Sequence, residues 1–327
     1  MAVAKLTNGS EGDVLQTKRR SLWVDGYYRL IRNKAAVTGM VVIALFLFVA
    51  LAAPIIAPHN PLKIIGGQGF LPPAWVEMGP GGVAGNPDYF LGTDTLGRDV
   101  FSRVIYGARV SMVVGFIPTM IILVVGTMIG LYAGYKGGWI DNLLMRITDI
   151  MWAFPDLLFF IIVMIALRDS FIGELMNGMF LLFAALALVN WVGDARVVRG
   201  QVLSLKEKEF VEAARCIGAS DSRIMFKHLL PNTLGPLIIL TAMQIPGMII
   251  TEAVLGYLGL GLRPGTDPSA FFVTSWGSLL LEGQAAINAQ PWILLGPAIC
   301  VALVVLAFTF LGDGLRDAFD PRLQGTQ

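Results

Sequence analysis

Residues 210–232 read FVEAARCIGASDSRIMFKHLLPN, a polar segment between two long apolar stretches, 174–194 and 233–262. Within it Phe210, Val211, Ala214 and Ile217 recur at helical spacing, while Lys208, Glu212 and Arg215 fall on other faces. That pattern predicts a short amphipathic helix. Two alanines keep its profile low, Gly218 is placed to end it, and Pro231 suits the start of the following helix. Such a helix is shaped to dock in a partner's groove; its plainer reading is an ordinary surface helix in a loop. The surroundings decide between the two.

Those surroundings are apolar. Of 327 residues, 55% are hydrophobic and only 14% charged, and the mean hydropathy is +0.69. A soluble chain of this length would divide into two or three domains, whereas this composition is that of a polytopic membrane protein. A helix crossing the hydrocarbon needs about 20 mostly apolar residues. Six stretches qualify, near 35–57, 108–135, 148–167, 174–194, 233–262 and 290–312. The third is interrupted by Asp149 and Asp156, but Pro155 followed by Asp156 resembles a helix start at the inner interface. The fifth carries Pro246, Gly247 and Glu252, so it is expected to be tilted, kinked or broken into a span and a re-entrant piece.

Net charge, +1, says little; the distribution of Lys and Arg says more. The first 34 residues hold seven basic side chains and no apolar core, which reads as a cytoplasmic tail rather than a signal peptide. With both termini inside, 18 of the 24 basic residues lie in cytoplasmic segments. Lys63, Arg98, Arg103, Arg109, Arg168 and Arg263 remain outside. This bias also places residues 210–232 in the cytoplasm, where ATP is.

The longest outward segment, 58–107, contains a Gly/Pro-rich stretch from Gly66 to Pro87 that is expected to be irregular. It is followed by LGTDTLGRDVFSRVIYGARVS, residues 91–111, where Asp99 and Arg103 stand at i, i+4. That spacing suits a helix lying on the outer membrane face as an interfacial anchor. In the second span Gly126, Gly130, Gly134 and Gly138 recur every four residues, a small-residue face for close helix packing, and Pro118 predicts a kink. Glu252 is an ionisable group in a span and therefore a functional candidate. At the outer interface it would serve a gate; deeper, it would face a pathway or pair with a basic residue.

Enzymatic readings fare poorly. No GxxxxGK phosphate loop, HExxH or GxSxG is present, and His59 and His228 are the only histidines. His228 is expected to pack or cap rather than catalyse. Cys216 and Cys300 have no metal-ligand company and read as packing residues. Asp149 and Asp156, seven apart, would share a helix face as an intramembrane enzyme requires, but Pro155 favours a structural role.

Glu212, Ala213, Ala214, Gly218 and Leu230-Pro231 fall at the spacing of the EAA loop of binding-protein-dependent ABC importer permeases. Together with 91–111, AGYKGGWIDNLLMRITDI at 133–150 and GDGLRDAFDPRL at 312–323, that loop resembles the dipeptide/oligopeptide/nickel permease family, C-type subunit. The likeness covers about residues 30–323. The Gly/Pro-rich insertion near 66–87 looks longer than the family's first outward loop. The resemblance implies an all-α integral membrane protein with six transmembrane helices and the type I ABC importer permease fold. It implies a homologous B-type permease, two ATPase subunits that bind ATP and Mg, and an extracytoplasmic solute-binding protein as partners, with lipid around the spans. It also implies no cofactor on this chain and no nucleic acid, in a prokaryotic inner membrane. The domain reading that follows is a tail at 1–34, a first span at 35–57, an outward loop at 58–107, a permease core at 108–312 with a coupling loop at 205–232, and a tail at 313–327.

By the same resemblance Glu212, Ala213, Ala214 and Gly218 form the coupling helix and its turn, with Arg215, Ala219 and Ser220 as further contacts, while Asn190, Gln244 and Glu252 are candidates to line or gate a pathway. The cargo implied is a di- or oligopeptide, with nickel or another small solute as the alternative within the family. A six-span channel working without ATP is the alternative of another class, and it would have no use for such a docking helix.

Overall fold

The computed structural model describes residues 22–79, 82–263, 265, 267 and 270–319, and everything regular among them is helical. Five helices are long and apolar enough to cross a membrane, and a sixth span is formed if one bent pair counts as one.

Helix α1 (Leu22–Arg32) lies within the expected tail and stops at Asn33, whose side chain accepts from Ala36 N and starts α2 (Lys34–Ile56). Along α2 the exposed residues Val41, Leu45, Phe48, Leu51 and Ile55 form an unbroken apolar stripe, the signature of a lipid-facing surface.

The described residues of 57–99 hold no α-helix, in keeping with the Gly/Pro content of 66–87. The interfacial helix expected over 91–111 is not separate. Asp99 caps α3 (Val100–Lys136), accepting from Phe101 N and Ser102 N, and the helix then continues into the membrane. Arg103 does not pair with Asp99. It is buried and reaches back to Asp94 and across to Glu282. An N-cap carboxylate is already saturated by its own helix's amides, so the i, i+4 spacing is overridden. Pro118 is carried inside α3 without a break.

After Gly137 come α4 (Gly138–Trp152) and α5 (Asp156–Leu167), bent by 82° where Ala153, Phe154 and Pro155 separate them. Pro155 does start a helix as its position predicts, but Asp149 and Asp156 now stand on different helices and share no face. Helix α6 (Phe171–Glu174) is one turn; α7 (Met179–Leu205) re-crosses the membrane, followed by α8 (Glu209–Cys216) and α9 (Asp221–Arg223). Residues Ile224–Leu229 are π-helical and lead into α10 (Leu230–Tyr257). That helix is continuous through Pro236 and Pro246, so it is not broken into a span and a re-entrant piece, and it stops at Tyr257 before Gly259 turns at φ 76°. Helix α11 (Trp276–Ala285), which hydropathy did not signal, packs outside the span, and α12 (Trp292–Phe319) extends past the expected 312.

Helices α3 and α7 meet along the glycine stripe. A Cβ built on Gly126 would lie 2.6 Å from Asp194 Cβ, and one on Gly134 2.9 Å from Val202 Cβ; at Gly130 it would run into the Ala195 carbonyl. Gly138 is not part of that stripe: it opens α4 at φ 58° with nothing within 4 Å of a built Cβ. Backbone cannot yield as a side-chain tip can, so Gly130→Ala is expected to destabilise the protein by about 2 kcal/mol. Thermal unfolding of the purified chain checks this; an unchanged midpoint would remove the stripe from the packing account.

Contacts sort the helix ends into two sets. At one end Asp221 takes hydrogen bonds from Lys136 at 2.6 Å and Tyr135 at 2.7 Å, and Asp141 takes both from Arg199 at 2.5 and 2.7 Å. At the other, Arg168 donates to the Gly259 carbonyl at 2.8 Å, Asn177 to Phe272 O at 3.1 Å, and Gln290 to Phe70 O at 2.5 Å. The loop bearing α8 is thus at the end opposite the Gly/Pro-rich segment.

Candidate functional site

The 206–229 segment joins the end of α7 to the start of α10 and is seated rather than loose. On α8, Val211 and Ala214 are buried and pack with Leu131 of α3, Val198 and Val202 of α7, and Ile224 and Leu229 of the π-helical turns. The apolar set expected to face a partner is therefore split. Val211 and Ala214, three apart, turn inward; Phe210 is 40% exposed and Ile217 85%. Ala214 thus turns toward the permease's own helices and seats α8 on them.

The outward face carries Glu212, Ala213 and Arg215, with Gly218 and Ser220 exposed beyond it and Ala219 half-buried. Gly218 ends the helix for a stated reason. Its N–H donates to Arg215 O at 2.9 Å and the Ala219 N–H to Ala214 O at 3.0 Å, the paired closure of a helix C-terminus that requires a left-handed residue, and Gly218 has φ 77°. Ser220 then caps α9, its hydroxyl accepting from Arg223 N at 3.4 Å. Both bends of the loop are set by backbone chemistry written in the sequence.

The loop is also moored sideways. Asp221 takes its two hydrogen bonds from the end of α3, and the Arg215 guanidinium lies 5.9 Å from the Tyr135 ring centroid. Tyr135, Lys136 and Asp221 were not singled out from sequence; only the glycine stripe, which brings the end of α3 beside that of α7, hinted at the meeting. A low, rigidly seated helix with an exposed Ile at its tip, on a membrane domain, is suited to receive and transmit a push from a partner.

Comparison with known proteins fits this geometry. Residues 126–325 match the model of the binding-protein-dependent transport system inner membrane component family, and residues 21–73 that of the N-terminal transmembrane domain of oligopeptide transport permease C. The chain is 36% identical to the oligopeptide transport system permease protein OppC of Bacillus subtilis (strain 168), over 97% of this chain and 95% of that one. It is 37% identical to the dipeptide transport system permease protein DppC of Alkalihalophilus pseudofirmus, over 93% and 91%. It is 34% identical to the glutathione transport system permease protein GsiD of Pectobacterium atrosepticum, over 93% of each. This chain belongs to the binding-protein-dependent transport permeases.

The permease is thus a subunit of an ABC importer, with the type I permease fold that its resemblance implied. Its remaining candidate residues are distributed unevenly. Glu252 lies in the interior of the permease, 0% exposed, facing Ser111 at 3.3 Å across α3 and α10, with no basic partner among the described residues. Helix α11 packs against this stretch of α10, five residues before its end at Tyr257: a Cβ on Gly277 would come within 2.9 Å of the Glu252 backbone carbonyl. Gln244 is turned inward and donates to Asp194 at 2.5 Å, joining α10 to α7. Asp194, 1% exposed, escaped sequence reading because it lies within an apolar run of normal length.

Asn190 differs from both. It is half-buried, donates to Leu186 O at 2.8 Å, and borders a hollow of about 450 Å³ with Trp152, Phe154, Pro155, Asp156, Val189 and Gly193. Cys216 is exposed at the end of α8, so it is not a packing residue, whereas Cys300 is half-buried in α12. His228 is half-buried in the π-helical turns, and its carbonyl accepts from Asn232 at 2.6 Å.

Proposed function

We propose that this permease pairs with a homologous B-type permease to form the pathway for ATP-driven uptake of di- and oligopeptides. Two ATPase subunits bind the face carrying α8, and a solute-binding protein delivers cargo at the opposite face. The single observation that supports ATPase docking is the outward face of α8, presented by a helix whose inward face is fixed to α3 and α7. The relatives named for oligopeptide and dipeptide transport support the cargo.

Orientation follows from charge. Among the described residues the side bearing α8 carries 13 of the 19 Lys and Arg, which supports a cytoplasmic position for it in a prokaryotic inner membrane, with both termini inside. ATP and Mg belong to the partner subunits, and this chain works without a nucleotide site of its own. Helix bounds support dividing the chain into a span at 34–56, an outward segment at 57–99, a core from 100 to 319, and the coupling loop at 206–229 within it, in place of the expected 35–57, 58–107, 108–312 and 205–232. Mechanistically, closure of the ATPase dimer draws the coupling helices together and turns the spans outward; hydrolysis resets them. A contact that were equal in both states would shift nothing.

The test is uptake of labelled di- and oligopeptides, against nickel, by the assembled complex with its binding protein in proteoliposomes. Peptide uptake that stops without the ATPases is expected. A complex that binds its ATPases yet moves no peptide would retain the importer and remove the cargo; uptake by the permease without ATPases would favour a channel.

A further inference from the structure

The permease exposes two kinds of surface at membrane depth. The open face of α2 is wholly apolar, from Val41 to Ile55. The open side of α7 is not: Asn190, Gly193, Arg196, Gly200 and Ser204 follow one another at helical spacing toward the cytoplasmic end, and none is fully buried. At the head of that stripe the 82° bend between α4 and α5 leaves the hollow of about 450 Å³, with Asp156 on its wall.

Depth can be estimated from helix rise. Asp156 begins a 12-residue helix that ends at Leu167 on the outer side, which puts it about 17 Å from that end. Asn190 is the twelfth residue of α7, likewise about 17 Å down. In a hydrocarbon layer about 30 Å thick, both lie near the midplane. Asp156 is exposed there and its carboxylate has no hydrogen-bond or ion-pair partner among the described residues. The nearest cation along the stripe, Arg196, is already engaged by Asp149 at 2.8 Å and stacked 4.8 Å from the Trp152 centroid. An unpaired carboxylate at this depth does not face lipid; such groups face water-filled cavities or transport pathways.

We infer that the hollow at the α4–α5 bend is a midplane station of the translocation pathway, where Asp156, Asn190 and the aromatic rings of Trp152 and Phe154 receive the ammonium group of a passing peptide. The inference rests on the peptide reading above and adds the group recognised. Asp156 supplies the opposite charge, Phe154 supplies a ring face that attracts an alkylammonium, Trp152, one face of which already carries Arg196, offers its remaining ring surface, and the free carboxamide oxygen of Asn190 accepts a hydrogen bond from the ammonium. Gly193, with nothing within 4 Å of a built Cβ, keeps the floor of the hollow open. The ammonium has two sources, an amino terminus or a lysine side chain, and the experiment separates them.

In the assembled importer in proteoliposomes, with Cys216→Ser and Cys300→Ser as background, Asp156→Cys is treated with a charged, membrane-impermeant thiol reagent. Modification that transported peptide slows is expected. An unreactive thiol means that lipid or the partner permease covers this face, and overturns the inference even if the wild-type complex moves peptides. Conversely, failure of the wild-type complex to move peptides removes the cargo reading, while reactivity of the thiol still decides whether the hollow faces water. For uptake, Asp156→Asn is expected to lose about tenfold, as removal of one charge-assisted hydrogen bond would, and Asp156→Glu to recover most of it. Equal loss for lysine-free and lysine-containing peptides assigns the ammonium to the amino terminus; loss confined to the latter assigns it to the side chain. Loss for neither overturns the proposal.

Discussion

Replacing Arg103 by Met is expected to lower the stability of the permease by about 3 kcal/mol, the low end of what breaking a buried ion pair costs. Arg103 is 3% exposed and Asp94 1%, and the guanidinium donates to Asp94 at 2.6 Å and to Glu282 at 2.8 Å through its second nitrogen. These three residues come from α3, the outward segment and α11, so one side chain fastens the long outer loop and the cap helix to the membrane core. Arg98 limits the damage. It reaches Asp94 at 2.7 Å and Glu282 at 3.1 Å, leaving neither carboxylate wholly unpaired. For that reason the figure is placed low in the range, and Arg98→Met alone should cost less than Arg103→Met. Thermal unfolding of the purified permease measures both. A double variant Arg103→Met with Glu282→Met should cost less than the two singles added, because the second change removes a group the first has orphaned. Strict additivity would mean that the network does not act as a unit.

That network shows where sequence reading stops. The spans were legible because apolar length is a local property, and so were the breaks at Pro155 and Gly218, which are written in single residues. Asp99 and Arg103 were misread as partners because spacing on a helix describes neighbours only when nothing stronger competes. Here Asp99 has its own helix's amides, and Arg103 finds Glu282, 179 positions away. The burial of Glu252 was not legible for a related reason: hydropathy gives an approximate depth but not the covering element, and α11 is a helix of only 10 residues with few charges to mark it. Gly138 fell outside the glycine stripe because the period of four persists in the sequence across a helix boundary that ends the geometry it describes. Asp156 had the opposite history. Its place at a helix start was read correctly, but the expected position at the inner interface differs from the midplane depth inferred above from the rise of α5.

Within the candidate coupling loop the sequence could locate the helix but not divide its faces, and two adjacent alanines now carry opposite expectations. Ala213 is exposed, so Ala213→Glu should leave stability within about 0.5 kcal/mol of wild type. If α8 is the docking surface, the same change places a charge inside the ATPase contact and should lower uptake at least tenfold, the scale of one interface anchor. Ala214 is 4% exposed against α3 and α7, so Ala214→Leu should overpack the seat and cost about 1–3 kcal/mol of stability. Gly218→Val should do some of both, because a β-branched residue at φ 77° strains the turn that aims the helix by about 1–3 kcal/mol. Measured side by side in the assembled complex, thermal midpoint, ATPase retention and ATP-dependent uptake separate these cases. Loss of uptake at Ala213 with an unchanged midpoint is the signature of a transmitting contact, since nothing in the permease itself has been disturbed. Normal uptake by a stable, inserted Ala213→Glu would show that the partner grips the domain elsewhere, and would leave Ile217 and the α3–Asp221 mooring as ordinary features of a loop.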